Sequence, residues 1–450
     1  MRETLLAALM VVAALAGCSG ADTPQQGFAF VDGVCPAGFT GSCDVYPTDI
    51  LHIRDFHIEA TRRGGIGLHI QGLPDTRDLR LEDGTIEGPF DVAVLIEHTC
   101  AACEVVLDNV TIRGAHGAIH VRDAPFRVGL FGIDMELAGD QEFSSAPPRP
   151  AVAVEDVGRA SLGEVRIATA SPRAGFALTA SAPSSEPDPE PTDHSLPIIN
   201  LADVAVGGFA GGFDLAVHVM DVSEIDIACR EVGIVFHWPG PYDGSNLNIT
   251  GCRRQAMQFL APHDLNFERI SISDSHTAIE VQGGDSLYLT WFNLTRNSYG
   301  VRFLDSNVSR VGAVLQHGVV ADNRYLGIET RHFGTRINNV TFLRNGHEWP
   351  DPADPKPRHE YGALVIAGTT VRNSDSTIIA STFEDNQPYA VTSLVQVPLV
   401  KAQQNWWGDP LGPRIRPLED PAVPDASIGP GNGDHVSPGI IFIPFATSKP

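Results

Sequence analysis

A loose repeat of about 22 residues runs through this chain and limits what it can fold into more than any other feature. Four segments align: Leu247-Asn248-Ile249-Thr250, Ile270-Ser271-Ile272-Ser273, Phe292-Asn293-Leu294-Thr295 and Val340-Thr341-Phe342-Leu343. Ile249 and Ile272 lie 23 positions apart, and Ile272 and Leu294 lie 22 apart. In the first three segments apolar and polar residues alternate, the period of a strand with one buried face. A turn follows each strand, often at Asn, and then a Gly or Ala opens a second apolar strand, as in Asn297-Ser298-Tyr299-Gly300-Val301 and Asn323-Arg324-Tyr325-Leu326-Gly327-Ile328. A unit this small cannot bury its apolar side alone. Repeated, it predicts an all-β solenoid in which each coil covers the open edge of the next.

Asn suits the turn because its short amide tolerates a left-handed backbone and bonds the main chain. Asn297, Asn323, Asn345 and Asn386 are therefore expected to stack as a structural ladder, about 4.8 Å from coil to coil. Tyr299, Tyr325, Tyr361 and Tyr389 fall just before the second strand of their coils. They predict an aromatic stack along one edge, with a sugar-stacking platform as the alternative.

Two stretches go beyond periodicity. One is Asn405-Trp406-Trp407-Gly408 with Gly412-Pro413; the other is Gly433-Asp434-His435-Val436-Ser437 leading to Ile441-Phe442-Ile443-Pro444-Phe445. With them the chain resembles the right-handed parallel β-helix superfamily, the fold of pectate lyases and of NosD-like periplasmic proteins. A similar segment closes the last coil in many members, with Trp where Phe445 stands here. The resemblance implies a right-handed, single-stranded parallel β-helix over residues 51–405. Residues 19–50 would form a tether and N-terminal cap, and residues 406–450 a C-terminal cap and a tail wrapping back along the last coils. Trp406 and Trp407 are expected to cover the exposed cross-section of the final coil.

Residues 1–18 read as a lipoprotein export signal: Arg2, an apolar run over 5–16 too short to span a bilayer, and the lipobox Leu15-Ala16-Gly17-Cys18. Cys18 would then be the lipidated first residue of a chain tethered to a membrane outside the cytoplasm, at the outer membrane, the cell surface or in the periplasm. Six cysteines remain, Cys35, Cys43, Cys100, Cys103, Cys229 and Cys252. An even number outside the cytoplasm predicts pairing. Cys229 and Cys252 are one coil apart, Cys35 and Cys43 would staple the cap, and Cys100-Ala101-Ala102-Cys103 fits a local disulfide better than a metal site with His98. A net charge of −24 excludes nucleic acid as a partner and disfavours polyanions. Arg310, Arg324, Arg331, Arg336 and Arg344 read as scattered solvated arginines.

Function in a solenoid sits in the loops that interrupt the coil, because packing occupies the coil itself. Four interruptions stand out, at residues 138–150, 181–197, 238–245 and 346–360. The second and third are expected at the same turn, roughly two coils apart, walling a groove in which Trp238 and Tyr242 stack on a carbohydrate while His237 and Asp243 contact its polar groups. Trp349, a further candidate carbohydrate contact, lies in the fourth loop, where His347, Glu348, His359 and Glu360 raise acid–base or metal chemistry without fixing its geometry. The resemblance brings a polysaccharide lyase or glycoside hydrolase as one reading, with Ca²⁺ as its cofactor, and a NosD-like accessory role as another. Neither an Asn-Thr-Asp nor an Asp-Asp pair of that superfamily's enzymes stands in the coil region. The expectation is a monomeric, lipid-anchored, non-catalytic scaffold that binds glycan or another surface protein.

Overall fold

Side chains alternate between interior and solvent along strand after strand, and the strands stack in parallel register into a β-helix. The computed structural model describes residues 28–31, 39, 42–45, 50–72, 78–99, 103–139, 149–181, 198–237, 241–283, 286–304, 313–330, 334–348, 351–367, 376–394, 400–416, 431–438 and 440–449. Each coil contributes to three faces. On the first, Leu81, Leu107, Leu130, Leu162, Leu201 and Val222 form one interior column. On the second, Ile249, Ile272, Leu294, Val320, Phe342 and Phe383 do the same, so the segments aligned from sequence pair residue for residue. On the third, the column Met257, Ile279, Val301, Ile328, Leu364, Val391 and Val436 runs to the end of the rod. These residues belong to one continuous buried cluster.

The first face turns into the second through a single left-handed residue per coil. That column runs Asp55, Asp83, Asn109, Gly132, Glu164, Asp203, Glu224, Asn246, Arg269, Trp291, His317, Asn339, Ala380 and Gln404. One such residue bends the strand without breaking its pairing, so a single strand, Val152–Thr169, crosses all three faces.

The turn from second to third face carries the asparagine ladder. The left-handed positions are Arg296, Asp322, Arg344 and Asp385, each just before its Asn. This corrects the expectation that the Asn itself takes that backbone. Asn297, Asn323, Asn345 and Asn386 are instead buried. Each Nδ2 donates to the next Oδ1, at 3.2, 2.8 and 2.9 Å, and the series ends with Asn386 donating to Asp434 Oδ2 at 2.8 Å. Inside this turn the four tyrosines are buried, Tyr299 and Tyr325 with ring centroids 5.5 Å apart and Tyr325 and Tyr361 6.5 Å apart. The column staggers by one residue, because Tyr299 pairs with Leu326 rather than with Tyr325.

Both ends are closed. Strand Ser42–Val45 runs antiparallel to Ile50–Arg54 and covers the first coil, with Phe39 packed 5.1 Å from Phe28. At the other end Trp407, fully buried, stacks on Phe383 at 4.7 Å, which stacks on Phe342 at 4.8 Å. Trp406 is half-buried and bridges Thr382 through its backbone. Residues 417–430, where the expected wrapping tail begins, lie outside the described residues. Among the described residues the C-terminal segment adds a further coil, with Val436 on Val391 and Ile440 on Val400. Cys229 and Cys252 form a disulfide across adjacent coils, Cα atoms 5.0 Å apart. Cys103 is also disulfide-bonded, whereas Cys18, Cys35 and Cys100 lie outside the described residues, as does the Cys43 side chain.

Candidate functional site

Outward positions on a solenoid face meet solvent, so buried charge there marks a place where neighbours have been arranged around it. Among the described residues the third face holds three such clusters. Its strands start from a row of small residues, among them Gly233, Ala256, Ala278, Gly300 and Gly327, where successive backbones approach closely; a Cβ on Gly300 would lie 2.2 Å from the Gly327 carbonyl oxygen. Loops leave the face at both edges. Ser181 and Phe236 end third-face strands two coils apart at one edge, and residues 182–197 and 238–240 that follow them lie outside the described residues.

Near the N-terminal end, Glu97 is 6 % exposed and accepts from His69 Nε2 at 2.8 Å and Arg122 Nε at 2.6 Å. Burial pushes its carboxyl up, but the Arg122 and His69 hydrogen bonds outweigh that and hold it below the usual range. His120 pairs with Glu155 one coil on, at 3.2 Å. In the middle, Glu280 is 4 % exposed and gathers amide donors from Gln255, Gln258 and Gln282, at 3.2, 3.1 and 2.8 Å.

The third cluster lies under the 346–360 interruption, which folds down on the face as a strap. Tyr299 Oη donates to Asp351 Oδ2 at 2.6 Å. The Tyr361 hydroxyl accepts from the Lys356 backbone N–H at 2.8 Å and donates to the Asp354 carbonyl at 3.0 Å. Arg302 lies 4.3 Å over the Tyr299 ring and reaches Asp354 at 2.9 Å, while Lys356 Nζ donates to Glu329 at 3.2 Å. Burial and the bond to Asp351 push the Tyr299 hydroxyl strongly up. Burial would raise Asp351, but the Tyr299 hydroxyl and the Ala353 N–H hold it low. His276, beside Tyr299, is pushed down by burial.

Of the residues expected from sequence to form a carbohydrate groove, Tyr242, Asp243 and His237 are described, and each is engaged by a different neighbour. Tyr242 is 1 % exposed and packs inward between Phe236 and Phe259, so it offers no ring to a ligand. Asp243, its outward neighbour on the first face, accepts from Asn266 at 3.0 Å. His237 is bonded to Asp214 at 2.6 Å; Trp238 and Trp349 lie outside the described residues. At the strap's ends, Glu348 accepts from Arg324 at 2.7 Å and His347 Nδ1 meets the Arg344 carbonyl at 3.0 Å. Arg344 pairs with Asp322, and Arg310 and Arg331 lie outside the described residues. Sequence reading missed Asp351, Asp354 and Lys356 in the strap, Arg302 and Glu329 beneath it, and Glu280 one coil earlier. The legible signal was alternating charge, Glu, Arg, Glu, at one outward position in three successive coils. Among the described residues no group of three or more His, Cys, Asp or Glu is placed to hold a metal ion.

Fold and clusters together define a parallel β-helix whose buried outward charges gather on one face. Comparisons with known protein families, with curated proteins and with solved structures find no match.

Proposed function

We propose that the chain is a lipid-anchored extracytoplasmic β-helix that presents a binding surface to glycan or to another surface protein, without catalysis. The observation that carries the binding half is the use of charge on the third face: Glu97 and Glu280 are engaged by neighbours one coil away and Glu329 by Lys356 of the strap, which makes the face a rigid, preorganised polar surface. The lipobox Leu15-Ala16-Gly17-Cys18 supports the anchor. Kinship with pectate-lyase-like and NosD-like β-helix proteins belongs to the same proposal, and the coil-closing Asn405-Trp406-Trp407-Gly408 supports it.

Two measurements test the two halves. Metabolic labelling with an alkyne fatty acid is expected to mark the full chain and to fail for Cys18→Ser; equal labelling of both overturns the anchor. A screen of immobilised glycans is expected to retain the chain with no release of ultraviolet-absorbing product from acidic polysaccharide. Such product would establish the competing reading, a polysaccharide lyase, which the basic pair Arg302 and Lys356 around Glu329 favours.

A further inference from the structure

The corner between the first and second faces requires a left-handed residue in every coil, and small polar residues or Gly adopt that backbone most readily. One coil places Trp291 there, at φ 56° and 57 % exposed. An indole is left largely exposed at such a site. Its ring stacks on His317, the corner residue of the next coil, with centroids 4.5 Å apart and planes 15° apart. The Asn339 amide nitrogen, one coil further, lies 2.9 Å from His317 Nδ1, which fixes the imidazole. On the other side Arg269 turns away, to Asn246 Oδ1 at 3.0 Å and Glu268 at 2.8 Å. Three successive corner residues thus hold one exposed aromatic shelf.

The surroundings say what it fits. In a chain of net charge −24, the outward positions on the shelf's own coil and the next carry no charge. They include Tyr288, Asn293 and Val319, aligned by the strand register, with Tyr288 37 % and Val319 39 % exposed. Charge lies one coil back, where Arg269 and Glu268 pair with each other, and two coils on at Arg336, beside Asn338 and Thr341. One corner away, by contrast, Arg296 pairs with Asp274 and Arg344 with Asp322. A ring bordered on its own coil and the next by amides and hydroxyls, with the cation of the adjacent corner, Arg269, already paired to Glu268, matches a polyhydroxylated ligand that has an apolar C–H face. We infer that this shelf binds an uncharged polysaccharide, one pyranose stacked on Trp291 and its hydroxyls bonded to the flanking amides. The inference rests on the glycan half of the function proposed above.

The test is affinity electrophoresis of the detergent-solubilised full chain through gels holding soluble xylan, galactomannan, mixed-linkage β-glucan or polygalacturonate. Trp291→Asn installs the residue type already found at this corner at positions 109, 246 and 339. At least one uncharged gel is expected to retard the wild type while polygalacturonate does not. For Trp291→Asn the retardation constant is expected to fall about tenfold, with an unchanged or higher thermal midpoint. Equal retardation of the two proteins overturns the shelf and leaves glycan binding standing elsewhere on the molecule. Retardation by polygalacturonate alone, a lower thermal midpoint in the variant, or self-association abolished by the substitution each overturns it as well. If no gel retards the wild type, the glycan half of the reading falls with it.

Discussion

Asn345 shows how much one interior side chain holds in place. It accepts from Asn323, and its two amide hydrogens go to the Val320 carbonyl at 2.8 Å and to Asn386 Oδ1 at 2.9 Å. Asn345→Ala strands donors and acceptors in two neighbouring coils at once. Buried unsatisfied groups cost about 1–3 kcal/mol each, so a loss of about 3 kcal/mol is expected by chemical denaturation. Asp434 ends the ladder with a carboxyl, accepting from the Asn386 backbone and side chain at 3.0 and 2.8 Å. Burial outweighs those bonds and raises its pKa from 3.8 to about 7. The folded state therefore favours the protonated form. The associated stability is complete below about pH 4 and is lost as pH rises toward 7. Asp434→Asn keeps an acceptor for both bonds and removes the titration. Its stability relative to wild type should rise between pH 4 and pH 8, by about 1–2 kcal/mol after allowing for the residue's partial exposure. A difference flat across that range contradicts the assignment.

The strap that follows Asn345 is bound through its polar groups. Asp351 is 3 % exposed and takes its side-chain proton donor from Tyr299, so Tyr299→Phe leaves a buried carboxylate short of a partner. The expected cost is about 1.5–3 kcal/mol, with faster proteolytic cleavage confined to the strap. Cleavage spread evenly over the chain would show that the strap is not a separate element. The Cys229–Cys252 bridge closes a loop of 23 residues, for which chain entropy gives about 3 kcal/mol, the loss expected for the double Cys→Ser variant. How the strap closes was not legible in the sequence. A Pro-rich loop fixes no geometry, and the charges it meets at Arg302 and Glu329 are distant in the chain. Tyr242 misled for a related reason: Pro239-Gly240-Pro241 reads as loop, yet Tyr242 is the first residue of a coil strand and points inward.

Across the whole molecule, sequence periodicity carried the architecture best on the second face, where alternation and spacing are clean from Ile249 to Leu294. The first face was harder to see because its corner is a single residue of almost any polar type, with no turn signature to mark it. Insertions hid other coils: the ladder step from Asn345 to Asn386 spans 41 residues where its neighbour spans 22. The antiparallel strand at the N-terminal end left no trace in the repeat, since it belongs to no coil. What remains to be tested is that coil number, not distance along the chain, sets position on the rod. Paired spin labels at exposed corner residues measure this directly by electron–electron dipolar spectroscopy. Positions 246 and 339 stand four coils apart in the corner column, and positions 109 and 404 eleven. At about 4.8 Å per coil the separations should be roughly 19 and 53 Å, each a single narrow distribution. Separations that do not grow in proportion to coil number would contradict a continuous parallel β-helix and everything built on it.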